Sequence, residues 1–123
     1  NDDNLSIDRV DFVDGMTKLS LSYTGGGKLD CIGDIYITGS QDNFNKCGPA
    51  HIDNNHYKLV KLENLNYCND KKYKPLKKGE TIKCAMYFQL LEAKTCHIDV
   101  YHNGELLVRG LEVYYNKDAV NQK

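Results

Sequence analysis

The sequence predicts an all-β fold, an immunoglobulin-like two-sheet β-sandwich of about seven strands, with a small closed β-barrel as the alternative. Three observations lead there. Stretches that alternate apolar and polar residues do so with period two, and Gly, Asn and Asp clusters stand between them. Two of the clusters are dipeptides suited to tight hairpin turns, Asp14-Gly15 and Asn103-Gly104. No helix-length window keeps an apolar stripe at helical spacing without Gly, Asn or Pro breaking it.

Taken in order, Ile7–Val13 and Met16–Tyr23 form a hairpin about Asp14-Gly15, with Val10 opposite Leu19 and Asp11 opposite Lys18. The triple glycine Gly25-Gly26-Gly27 reads as a flexible turn; it lacks the spacing of a phosphate-binding loop. Leu29–Thr38 and Tyr57–Leu65 supply two further strands, separated by a polar loop over Gly39–Asn55. Thr81–Leu90 alternates most clearly: Ile82, Cys84, Met86, Phe88 and Leu90 face the core, while Lys83, Ala85, Tyr87 and Gln89 face solvent. Cys96–Tyr114 is a hairpin about Asn103-Gly104, pairing Tyr101 with Leu106, Val100 with Leu107, Ile98 with Arg109 and Cys96 with Leu111. Short helices are allowed only within Gln41–Lys46 and Asn116–Gln122.

With 123 residues there is room for one domain, residues 1–123, with flexible ends near 1–5 and 117–123. The net charge of −1 provides no global field for a polyanion, so any electrostatic partner must be held by a local patch. No apolar run approaches the ~18–20 residues of a membrane span. The chain opens on Asn1 without a basic or apolar leader, as a mature or trimmed form would.

Five cysteines stand at Cys31, Cys47, Cys68, Cys84 and Cys96, none in a Cys-x-x-Cys pair. That scatter favours disulfides over a zinc site, and with them an oxidising, secreted or extracellular location. The odd number leaves at least one unpaired. Cys84 and Cys31, both in strongly apolar stretches, are the expected pair across the two sheets. Asn4-Leu5-Ser6 is a glycosylation acceptor sequence, with Asn4 as the candidate site.

No motif for catalysis or metal binding is met, and neither cofactor nor metal is expected. Cys96-His97 is the one place where a nucleophile adjoins a base, and strand neighbours point to opposite faces. His51, His56, His97 and His102 lack ligand spacing. The twelve Asn and twelve Asp read as turn chemistry rather than a calcium loop.

Two features point instead to macromolecular recognition. The run from Lys71 to Lys78 holds five lysines, of which Lys71, Lys72 and Lys74 flank Tyr73, and can draw a polyanion. Nine tyrosines without tryptophan place Tyr36, Tyr87, Tyr101 and either Tyr114 or Tyr115 on strand faces away from the core, where tyrosine offers amphipathic contact area. The expected function is therefore a secreted, non-catalytic recognition module that engages another protein through an exposed sheet face or loops. Tyr87, Tyr101 and Tyr114 are the expected contact residues. A carbohydrate-binding module is the alternative.

Overall fold

The computed structural model describes residues 4–40, 55–71, 76–92 and 95–113. They form an all-β structure of seven strands: β1 (Leu5–Val13), β2 (Met16–Thr24), β3 (Ile35–Gly39), β4 (His56–Glu63), β5 (Thr81–Gln89), β6 (His97–His102) and β7 (Glu105–Glu112). No helix occurs among the described residues. Each strand is antiparallel to its sheet neighbours.

The expected two sheets are one curled sheet in the order β1-β2-β5-β4-β3-β6-β7. The reason lies in β4. Its first residues, His56 to Lys58, pair with β3, whereas Leu59 to Glu63 pair with β5. The register shifts between Leu59 and Lys61, so Val60 is an extra residue that bends the strand from one half to the other. Among the described residues no pairing joins β1 to β7, so the curl is not closed.

The two halves share one core. Leu19, Leu21, Tyr23, Met86 and Phe88 from one half meet Ile35, Ile37, Ile98, Val100 and Val108 from the other. The alternation in β2 is strict: Thr17, Leu19, Leu21 and Tyr23 are buried and the residues between them are not.

Both hairpin turns form where the sequence places them. Asp14 and Gly15 have φ of 53° and 74°, and Asn103 and Gly104 have 52° and 81°, the pair of positive φ values that matches strand twist. The first hairpin keeps the expected register, with Val10 opposite Leu19 and Asp11 opposite Lys18. The second keeps His102 opposite Glu105 and Tyr101 opposite Leu106; beyond them Val100 pairs with Val108, not Leu107, and Ile98 with Leu111, not Arg109. Two bulges in β7 cause the slip. One buries both Leu107 and Val108. The other turns at Gly110, whose φ of 65° suits a residue without Cβ and whose amide donates to Asp99 Oδ1 at 2.7 Å.

The expected strand over Leu29–Thr38 is shorter, because its first half is a loop organised by Tyr23. The buried Tyr23 hydroxyl donates to Asp30 Oδ1 at 2.7 Å and accepts from the amides of Gly27 and Leu29 at 2.9 and 3.1 Å. Gly26 also donates to Asp30. The glycine turn is thus a hydrogen-bonded loop rather than a loose one. At the other expected flexible end, Asn4 is tied to β2, its carbonyl accepting from Thr24 N at 2.8 Å.

Candidate functional site

The outer surfaces of the two halves differ in chemistry. On the β1-β2-β5 side the outward residues include three ion pairs, Lys83 with Asp8, Arg9 with Asp11 and Lys18 with Glu63, among uncharged Ser20, Ser22 and Thr24. Tyr87 lies among them, but it is only 6% exposed. Lys18 Nζ and Lys61 Nζ stand 5.4 and 4.4 Å from its ring centroid, a cation–π cover. The expectation that Tyr87 faces solvent is therefore corrected. β5 is central in the sheet, and long lysine stems from both neighbouring strands close over the ring.

On the β4-β3-β6-β7 side the outward residues include a row of aromatic and apolar side chains beside the charged Lys58, Asp99, Arg109 and Glu112. His56 stacks on Tyr36 with centroids 4.7 Å apart and planes 10° from parallel, and Tyr36 stacks on Tyr101 at 5.4 Å and 14°. Next across the sheet, Leu106 is the residue opposite Tyr101, and it is 44% exposed. The result is a ladder across four strands, built because residues on one face of neighbouring strands align. Neither tyrosine hydroxyl in it hydrogen-bonds another group among the described residues. Tyr101 thus lies on an outward face as expected. Tyr87 does not neighbour it, since β4 and β3 intervene between β5 and β6.

At the end of the ladder lies an open groove of about 540 Å³, lined by Gly33, Asp34, Tyr36, His56, Lys58 and Tyr67, among others. Its far wall is held by a disulfide. Cys31 and Cys68 are bonded with Cα atoms 4.8 Å apart, and between them Ile32 N donates to Asn66 O and Cys68 N to Ile32 O, which fixes Tyr67 beside the groove. Its near wall is held by the β6-β7 turn. Asn103 N donates to Asp34 O at 2.7 Å, Asp34 N to Asn103 Oδ1 at 3.0 Å, and Gly33 N to His102 Nε2 at 3.0 Å.

The expected Cys31–Cys84 bridge is corrected by this geometry. Cys84 is a buried free thiol in the middle of β5. Its sulfur lies 3.7 Å from the Leu21 carbonyl, whereas Cys31 sits in a loop that an isolated bridge brings to Tyr67. Burial, with the Asp8 charge adding to it, pushes the Cys84 thiol up to about 11. Cys96 is disulfide-bonded as well. Cys47 lies outside the described residues, as do Lys72, Tyr73, Lys74 and Tyr114. Lys71 is described and exposed.

Cys96 and His97 do meet, contrary to the strand argument: the sulfur is 3.0 Å from His97 Nδ1. Cys96 precedes the first residue of β6, where alternation does not yet hold. As part of a disulfide, its sulfur offers no thiolate for nucleophilic attack. A second polar cluster was not evident in the sequence: Ser22 Oγ donates to Asp8 Oδ2 at 3.0 Å, and Lys83 Nζ donates to both. It is exposed, with the Lys83 side chain 80% accessible, the setting of a solvated ion-pair network. No group of three or more potential metal ligands is assembled among the described residues. At Asn4, the candidate glycosylation site, Nδ2 donates to Thr24 O at 2.9 Å.

No family model matches the chain, no curated protein is significantly similar to it, and no solved structure matches its fold. Its chemistry is therefore argued from its own residues. Of the residues in the ladder and groove, the sequence singles out Tyr36 and Tyr101. His56 and Lys58 are the outward members of an alternation whose inward member, Tyr57, is visible in the sequence. Tyr67 carries no such signal, since its position depends on the disulfide, whereas Leu106 is legible as the residue opposite Tyr101 across the Asn103-Gly104 turn.

Proposed function

We propose that this chain is a non-catalytic extracellular recognition module that engages another protein through the outer face of β4, β3, β6 and β7. The observation that carries the proposal is the His56–Tyr36–Tyr101 ladder running out to exposed Leu106. Aromatic side chains ordered before binding lose little conformational entropy on association, and their free hydroxyls and edges can hydrogen-bond a partner's backbone. The disulfide supports an oxidising location.

The stacking also weighs against the carbohydrate alternative. A sugar ring needs an open aromatic face, and Tyr36 has His56 against one face and Tyr101 against the other. The finer architecture belongs to the same proposal: a curled sheet with one core between its halves functions as a sandwich, presenting one outer face to the partner.

Affinity capture from the native extracellular fluid, run beside a glycan array, tests the proposal. Saturable capture of a protein by the wild-type chain, lost on Leu106→Asp, is the expected result. Glycan binding that survives Leu106→Asp, with no protein captured, would replace it with the carbohydrate reading.

A further inference from the structure

One wall of the groove depends on an acceptor that titrates. A backbone amide can only donate, so the His102 Nε2 that Gly33 N meets at 3.0 Å is unprotonated, and the neutral ring carries its proton on Nδ1. On either side of this bond the chain is anchored independently. Ile32 is tied to Asn66 and Cys68, and Asp34 to Asn103. Gly33 is the link between these anchors, and a Cβ there would collide with the Asn103 amide. His102 itself is buried. The charged groups facing it come from three directions: Asp34 ahead of β3, Glu105 on β7, and Lys28 from the loop after β2. Lys28 and Glu105 pair with each other at 3.0 Å, which leaves Asp34, on the tethered segment, as the carboxylate an imidazolium would attract.

We infer that protonation of His102 releases Gly33 from β6 and reshapes the groove, so that the recognition face weakens as the solution is acidified; this rests on the function proposed above. An imidazolium sets N–H against N–H at the Gly33 contact, and the hydrogen bond is lost. Burial holds the His102 imidazole below its ordinary 6.5; Asp34 and Glu105 oppose this and Lys28 adds to it. The sign of the linkage follows. The unfolded chain takes up this proton at a higher pH than the folded one, so the latch is closed and its stabilisation complete above 6.5. Both are lost as the pH falls below that value.

A pH titration followed by amide and aromatic NMR, from about pH 7.5 to about pH 5, tests the latch without any partner. Run on the wild-type chain and on His102→Gln, it is expected to show the Gly33 and Asp34 amides and the Tyr67 ring shifting together; Tyr36 is left out of the readout because the His56 imidazole stacks on it. The transition should have a midpoint below 6.5 and be absent in His102→Gln, whose side-chain oxygen accepts from Gly33 at every pH. Should that variant fail to fold, the His102 ring nitrogen signals of the wild type serve instead, and their midpoint should coincide with that of Gly33. A Gly33 amide that does not move would overturn the latch. So would a Gly33 transition that persists in His102→Gln, or one that leaves Tyr67 unmoved. Because these signals come from the free chain, failure to bind a protein would count against the recognition proposal alone.

Discussion

The Tyr36 and Tyr101 rings stack 5.4 Å apart and 14° from parallel, near the ~4.8 Å spacing of the adjacent strands that carry them. The sheet itself therefore sets the ladder. The pair should show a coupling of about 0.5–1.5 kcal/mol in a double-mutant cycle with Tyr36→Ala, Tyr101→Ala and the double variant. Urea denaturation provides the free energies. Additive losses would mean that the rings stand side by side without interacting.

Tyr23 should matter through its hydroxyl as much as its ring. Tyr23→Phe leaves the amides of Gly27 and Leu29 without their acceptor and Asp30 with only the Gly26 amide as donor. A loss of roughly 1–3 kcal/mol in denaturation is expected. Burial and the bond to Asp30 hold the Tyr23 phenol above its ordinary pKa, so its ultraviolet ionisation should be delayed until the protein unfolds in alkali. Full stability in Tyr23→Phe would show that the loop is held by other contacts.

The cysteines make separable predictions. A non-reduced digest should yield a peptide joining Cys31 to Cys68 and place Cys96 in a second linked species. Cys84, buried and with its thiol pushed up to about 11, should resist alkylation at neutral pH until denaturant is added. Replacing Cys31 and Cys68 together by Ser should lower stability by about 2–4 kcal/mol and loosen Tyr67. Recovery of a Cys31–Cys84 peptide would contradict the structure.

The sequence shows much of this fold and little of its site, for physical reasons. Local chemistry decides a tight turn, so Asp14-Gly15 and Asn103-Gly104 set two hairpins, and period two marks β2 and β5. Bulges carry weaker marks: the slip at Leu107 and the shift around Val60 depend on what the neighbouring strand demands, and with them went the register of β7 and the separation of the sheets. Sheet order is less visible still. Tyr87 and Tyr101 look alike in sequence, and only the placement of β4 and β3 between them puts one under lysines and the other in the ladder. Cys84 and Cys31 are similar in apolarity, yet the bond depends on a loop contact, Ile32 with Tyr67, that no periodicity signals.

The measurement that tests the recognition face most directly is calorimetric titration of the captured protein with the wild-type chain, Leu106→Asp, Tyr101→Ala, and Lys72→Ala combined with Lys74→Ala. Thermal denaturation of each variant confirms its fold. Leu106→Asp and Tyr101→Ala should each raise Kd tenfold or more, because a central aromatic or apolar contact can contribute on the order of 2 kcal/mol. The lysine pair should mainly slow association, with an effect that fades as salt is raised. If both face variants bind as the wild type does while the lysine pair abolishes binding at physiological salt, the ladder is not the recognition surface.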